Sequence, residues 1–124
     1  MAIHNAIKNY KGKTTAYIDG LAYGMASIIA LACDEIHMSE NARFGMSEAS
    51  IFMVSSEPDE MKWRVKELKK VNSVMAEIYM VRPKKTKKEM LKVMEQETWL
   101  TAKEAKKNGF VDFIFEDVKE CVAK

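Results

Sequence analysis

Histidine, cysteine and glycine are scarce in this 124-residue chain, and each shortage removes a class of function. The only histidines, His4 and His37, do not form a His-x-x-x-His pair. A metal centre needs several converging donors, so two structural histidines and no metal are expected. The two cysteines, Cys33 and Cys121, sit far apart. Cys33 falls in an apolar segment, which suits a buried thiol in a reducing cytoplasm. Gly20 and Gly24 are spaced Gly-x-x-x-Gly, and no Gly-x-Gly-x-x-Gly or Walker sequence exists, which excludes those phosphate-binding loops. No cofactor is therefore expected. The longest apolar stretch, Leu21 to Cys33, is shorter than the roughly 20 residues a membrane-spanning helix needs. The N-terminal MAIHNAIKNYKGK reads as a short helix rather than a signal peptide. A net charge of +2 is too small to argue for nucleic acid or a membrane surface. These absences leave one cytoplasmic, soluble domain spanning 1–124, with a polar tail at 117–124.

What is present centres on Thr14 to Glu48. Thr14 to Ile18 is rich in β-branched and aromatic residues, as a strand requires. Asp19-Gly20 breaks it, and Gly20-Leu-Ala-Tyr-Gly24 is expected to turn the backbone. Met25 to Cys33 is apolar on all sides, so its helix must lie inside the molecule. A second strand and a polar turn follow. A strand feeding a buried helix through a tight turn is a common place to present a reactive group.

Around this centre, Ile3, Ala6, Ile7 and Tyr10 fall on one face of an opening helix, Ala2 to Tyr10, ended by Gly12. That face wants a sheet already in place, yet the first strand comes only afterwards, which hints at a missing upstream unit. Ile51 to Val54 is a short strand candidate. Ser56 is the expected N-cap, and Pro58 lies in the first turn of the longest helix, Asp59 to Met80. On that helix Met61, Val65, Leu68, Val71, Met75 and Ile78 recur every three or four residues, opposite a charged side. Such a helix packs on its own domain or on another subunit. Arg82-Pro83 breaks it. Thr86 to Glu89 and Thr101 to Glu104 are capping boxes that open two short helices. The second ends at Asn108-Gly109, before a strand at Phe110 to Phe115. Alternating strands and helices make the class α/β.

Two polar clusters are weak signals. Lys84, Lys85, Lys87 and Lys88 could touch phosphate, but without interleaved aromatics they read as a solvated helix start. Asp34-Glu35 could form a carboxylate pair for acid–base work, with a turn role equally open.

The run AIHNAIKNYKGKTTAYIDGLAYGMASIIALACDEIHMSENARF resembles the ClpP-type serine peptidase family, in the form found in phages and prophages. The later run QETWLTAKEAKKNGFVDFIF resembles that family's C-terminal segment. The similarity covers about Ala2 to Asp117. It implies the ClpP/crotonase-like spiral of ββα units with a long handle helix, here without its N-terminal unit. It also implies a Ser-His-Asp-type triad in that chain order.

On the matching positions, the nucleophile's place at the start of the buried helix holds Gly24. Asn41 to Ser47 matches the stretch that ends in the family's histidine, so Ser47 stands at the base position. Glu97, two residues before Trp99, stands at the acid position. The family's Ser-Pro-Gly-Gly-like oxyanion loop would lie upstream of residue 1. Ser27, almost one helical turn beyond Gly24, is expected to be a small packing residue rather than a substitute nucleophile. The resemblance therefore implies a catalytically silent relative that self-associates through the Asp59–Met80 helix. A peptide or unfoldase partner is implied by resemblance alone.

The run Leu31-Ala-Cys-Asp34, with Ala42-Arg-Phe-Gly45 and Glu48, is also similar to the enoyl-CoA hydratase/isomerase branch. There a glycine at position 24 would offer its N–H to a thioester oxygen, and Glu48 would match an acid position. That alternative implies an acyl-CoA binding protein.

Overall fold

The computed structural model describes residues 2–49 and 57–116 of the chain. The candidate strand at 51–54, the expected N-cap at 56, Cys121 and the tail at 117–124 lie outside the described residues.

The chain opens with α1 (Ala2–Lys8), followed by β1 (Thr15–Ile18) and β2 (Leu21–Tyr23). Then come α2 (Met25–Leu31), β3 (Glu35–Ser39), β4 (Arg43–Met46) and the long α3 (Pro58–Val81). The last elements are α4 (Lys87–Glu95), β5 (Thr98–Thr101), α5 (Ala102–Lys107) and β6 (Phe113–Phe115). The strands form two three-stranded sheets, ordered β1-β3-β6 and β2-β4-β5. Each ββα unit gives its first strand to one sheet and its second strand to the other. The next unit stacks alongside in parallel, with Tyr17 opposite His37 in the first sheet and Tyr23 opposite Gly45 in the second. This is the ββα spiral expected from the family resemblance. Among the described strands only β5 runs antiparallel, pairing Gly45 with Trp99 and Met46 with Thr98.

The core lies between the sheets and the helices. Ile36 and Met38 of β3, Phe44 of β4 and Ile28 of α2 are fully buried. Phe44 stacks on Phe110 at 5.0 Å. Met46, Met75, Met90 and Met94 fill the remaining space, a role suited to unbranched, adaptable side chains.

Four expectations need correction. The segment read as a turn between Gly20 and Gly24 contains β2, and the polar turn after the second strand contains β4. Both strands are too short to show alternation, and β4 carries a glycine; pairing on both sides of β4 makes them a sheet. The N-cap of α3 is Glu57 rather than the expected serine, with Pro58 at the first helical position. Helix α1 ends at Lys8 and buries little of the expected face: Ile7 is half-buried, Ile3 and Tyr10 are 62% and 66% exposed, and His4 is buried instead. It packs against α2.

The long helix is divided along its length. Met75, Ala76 and Tyr79 are buried, whereas Met61, Val65 and Val71 of the same apolar face stay exposed. Of the two expected capping boxes, the one at Thr86 forms only its first half and the one at Thr101 forms completely. Thr86 accepts the Glu89 N–H at 3.2 Å. Thr101 and Glu104 make the full reciprocal box, with the Thr101 N–H donating to Glu104 at 3.0 Å. That bond from the Thr101 N–H holds the Glu104 carboxyl below its usual range. Among the described residues no helix is long and apolar enough to cross a membrane.

Candidate functional site

The sheet β2-β4-β5 brings the three sequence-matched positions to one end. Gly24 follows the last residue of β2, Ser47 follows the last residue of β4, and Glu97 precedes the first residue of β5. Because Met46 pairs with Thr98, Ser47 and Glu97 are consecutive positions beyond the end of the same antiparallel ladder.

Gly24 is the N-cap of α2, with φ 58 and ψ −121. A side chain in this conformation is strained, so glycine suits it. A strand-to-helix turn held this way is the backbone shape of a nucleophile elbow. A Cβ placed on Gly24 would lie 3.5 Å from the Ser47 hydroxyl oxygen, in ordinary contact. Positions 24 and 47 therefore face each other, and Ser47 is 8% exposed.

Around Gly24 the hydrogen-bonding groups are taken. Its N–H donates to the Gly45 carbonyl at 3.2 Å. Its carbonyl accepts the backbone N–H groups of Ser27 and Ile28 at 3.1 and 3.2 Å. The Ser27 hydroxyl also donates to that carbonyl, at 2.6 Å. Tyr79 of α3 reaches the same corner, with its hydroxyl 2.6 Å from Ser27 Oγ and 3.3 Å from the Gly24 carbonyl. Burial pushes the Tyr79 phenol up to about 12, against a smaller opposing effect of the Ser27 bond. Ser27 is fully buried in this arrangement. It serves packing and the turn, and no imidazole is among its partners.

Glu97 is drawn to Tyr23, whose hydroxyl donates to its carboxylate at 2.7 Å. Glu97 itself has a positive φ of 51. Tyr23 stacks on Trp99 at 4.7 Å with an interplanar angle of 10°, over Gly45, where the strand register leaves room for two rings. Tyr23, Tyr79 and Gly45 are site residues that sequence reasoning passed over. Tyr79 could have been found as the neighbour of Ile78 on the buried flank of α3. The bond between Tyr23 and Glu97 spans 74 positions and leaves no sequence signal.

The other candidates lie elsewhere. Asp34 and Glu35 do not act as a pair. The Asp34 carboxylate accepts the Thr14 N–H at 3.0 Å, and Glu35 sits 3.0 Å from Lys13 and 2.6 Å from His37. Those bonds, from His37 first and then Lys13, hold the Glu35 carboxyl low. His37 lies between Tyr17 and Phe113 in a row of stacked rings, with centroids 5.0 and 4.8 Å away. Among the lysines, Lys87 pairs with Glu77 at 3.1 Å and Lys85 reaches Glu89 at 4.0 Å. Among the described residues no group of three metal-ligating side chains comes together.

Comparison with known proteins bears on the same architecture. The Clp protease family model matches residues 1–118. The chain is 26% identical over 127 residues to ATP-dependent Clp protease proteolytic subunit 1 of Protochlamydia amoebophila, a match covering 96% of this chain. It is 23% identical over 122 residues to an ATP-dependent Clp protease proteolytic subunit of Deinococcus radiodurans, covering 97% of this chain. It spans 59% of the length of each of these curated relatives. In fold it is similar to a mutant of ClpP1 from Listeria monocytogenes, with a TM-score of 0.80 at 20% identity over 94% of this chain and 64% of that one. With a family match along nearly its whole length, carried on a ββα spiral of the same shape, the chain belongs to the Clp protease family.

Proposed function

We propose that this chain is a catalytically silent member of the family that keeps the fold in order to assemble. Gly24 stands at the nucleophile position, Ser47 at the base position and Glu97 at the acid position. The observation that carries the reading is the contact at the elbow, where a hydrogen atom at Gly24 faces a hydroxyl at Ser47. Glycine has no oxygen to attack a carbonyl. A serine hydroxyl does not take up a proton near neutral pH as an imidazole does. Triad members act as a unit, so the loss of one already removes most of the acceleration. Glu97, bonded to Tyr23, has no imidazole to orient.

The acyl-CoA alternative draws no support from this geometry, because the Gly24 N–H that would bind a thioester oxygen already donates to Gly45. Self-association is the remaining role. The exposed apolar residues of α3 ahead of its buried end, Met61, Val65 and Val71, are the surface for it. A peptide or an unfoldase as partner rests on family membership alone.

The purified chain, offered a panel of fluorogenic peptides, is expected to give no cleavage above buffer. Cleavage abolished by Ser27→Ala or Ser47→Ala would overturn the proposal.

A further inference from the structure

Glu97 is held in a backbone conformation that does not suit it. It follows Gln96, the C-cap of α4, and its φ of 51 is the left-handed conformation that glycine usually supplies at the end of a helix. Strain of this kind gathers where a side chain has a use, and the carboxylate shows where that use lies. It accepts the Tyr23 hydroxyl at 2.7 Å, and Tyr23 stacks on Trp99 at 4.7 Å with an interplanar angle of 10°. The two rings lie on the outer face of the sheet, because Ala22, Phe44 and Leu100 of the same strands fill the inner one. Each ring covers the inner face of the other. Tyr23 and Trp99 nevertheless remain 38% and 42% exposed, which leaves their outer faces and edges to solvent.

The charges at this corner call for a cation. Among the described residues Glu97 has no ion pair, and its one donor is a hydroxyl, which adds no charge to offset the carboxylate. Arg43, on the same outer face, stands opposite Thr101 at the far end of the ladder, four positions from Glu97. That separation is about 13 Å along a strand, beyond the roughly 8 Å over which exposed charges act at physiological salt. The Arg43 guanidinium donates to the carbonyl oxygens of Asn41 and Ala42 at 3.3 and 2.9 Å and adds its attraction to Glu104. Lys85, beside Thr98 on the inner side of the sheet, reaches Glu89 at 4.0 Å. An exposed carboxylate beside a pair of aromatic rings is the complement of a flat cation. A guanidinium can donate two N–H bonds to the carboxylate and stack on a ring at once, which a compact ammonium does less well. The rings and the carboxylate are exposed rather than enclosed, which suits a side chain carried by a larger partner better than a free small molecule.

We propose that Glu97, Tyr23 and Trp99 bind an arginine side chain of a peptide, its guanidinium on the carboxylate and against the outer face of the aromatic pair. This adds a ligand class to the catalytically silent site and rests on that reading in one respect only: position 47 carries no imidazole to claim Glu97. Peptide cleavage would overturn the silent reading, whereas arginine binding is measured without it.

The test follows the indole N–H resonance of Trp99 in the full chain, assigned by comparison with Trp63→Phe, as peptide is added. Acetyl-Gly-Arg-Gly-amide is expected to shift it saturably, at least about tenfold more tightly than the same peptide with citrulline, the neutral isostere of arginine. Glu97→Gln keeps an oxygen for the Tyr23 hydroxyl but removes the charge. It should weaken the arginine peptide at least about tenfold while melting as the wild type does, which separates binding from a merely structural role. No saturable shift, equal affinity for the arginine and citrulline peptides, or unchanged arginine affinity in Glu97→Gln would overturn the proposal.

Discussion

Tyr79 is fully buried, yet its hydroxyl sits in a corner shared by Ser27 and the Gly24 carbonyl. A buried phenol resists ionisation because the anion would lose its water, and here the phenol rises from 10.0 to about 12. The unfolded chain would release that proton near pH 10 while the folded chain keeps it. The folded form thus binds more protons in this window, and stability falls as pH rises from about 10 to 12. Tyr79→Phe removes the ionisable group, so its thermal midpoint should decline less steeply than wild type over that range. At neutral pH the same variant should lose about 1 kcal/mol, since Ser27 keeps its bond to Gly24 and only the Tyr79 bonds vanish. Thermal melts from pH 7 to 12 measure both effects. Identical alkaline slopes in the two proteins would refute the account.

Among the elements, the sheet β2-β4-β5 is held by an arrangement that depends on one missing side chain. Gly45 in the central strand has Tyr23 on one side and Trp99 on the other, and the two rings stack above it. A Cβ at Gly45 would lie 2.6 Å from the Tyr23 ring and 3.0 Å from Trp99. Gly45→Ala must therefore push apart two rings that face each other closely. The expected cost is about 1–3 kcal/mol, as for overpacking elsewhere, read as a shift in the urea midpoint with an unchanged slope. Gly45→Ala combined with Tyr23→Ala should recover part of the loss, because the nearer ring is then gone. This sheet is also where the sequence was least legible. Helix α3 and the Thr101 box were readable because each carries a repeated or reciprocal local pattern. Strands of three or four residues carry too little alternation to be recognised, and β2, β4 and β5 exist through pairing with one another. The family was readable because its motifs stand in order along the chain. The bonds joining Tyr79 to Ser27 and Tyr23 to Glu97 span 52 and 74 positions, and nothing local announces them. The face of α1 was misjudged because apolar spacing states which side a helix could bury, while the neighbouring elements decide which side it does.

For the molecule as a whole, the uneven burial of α3 is the feature with the widest consequence. Its second half is tied down: Met75, Ala76 and Tyr79 enter the core, and Arg82 beyond its end binds Asp112 at 3.1 Å. Burial raises the Asp112 carboxyl, but Arg82 and the Ile36 N–H together bring it below its usual range, so this anchor weakens only in acid. The part before Asn72 keeps the same apolar periodicity, yet Met61, Val65 and Val71 stay 39%, 43% and 37% exposed. A helix of 24 residues whose apolar stripe outruns its own domain leaves apolar area in water at about 25 cal/mol per Å². A second copy offering the same stripe would remove that area from both chains at once, which is how a two-fold interface is made. The chain is therefore expected to associate as its concentration rises, with multi-angle light scattering giving a mass above 14.2 kDa. Val65→Lys with Val71→Lys places two charges inside the proposed contact and should return the chain to a monomer. Its cooperative unfolding should survive, because both side chains lie away from the core. A wild-type chain that stays monomeric across the accessible concentration range, or a double-lysine variant that associates equally well, would show that this face is not the contact.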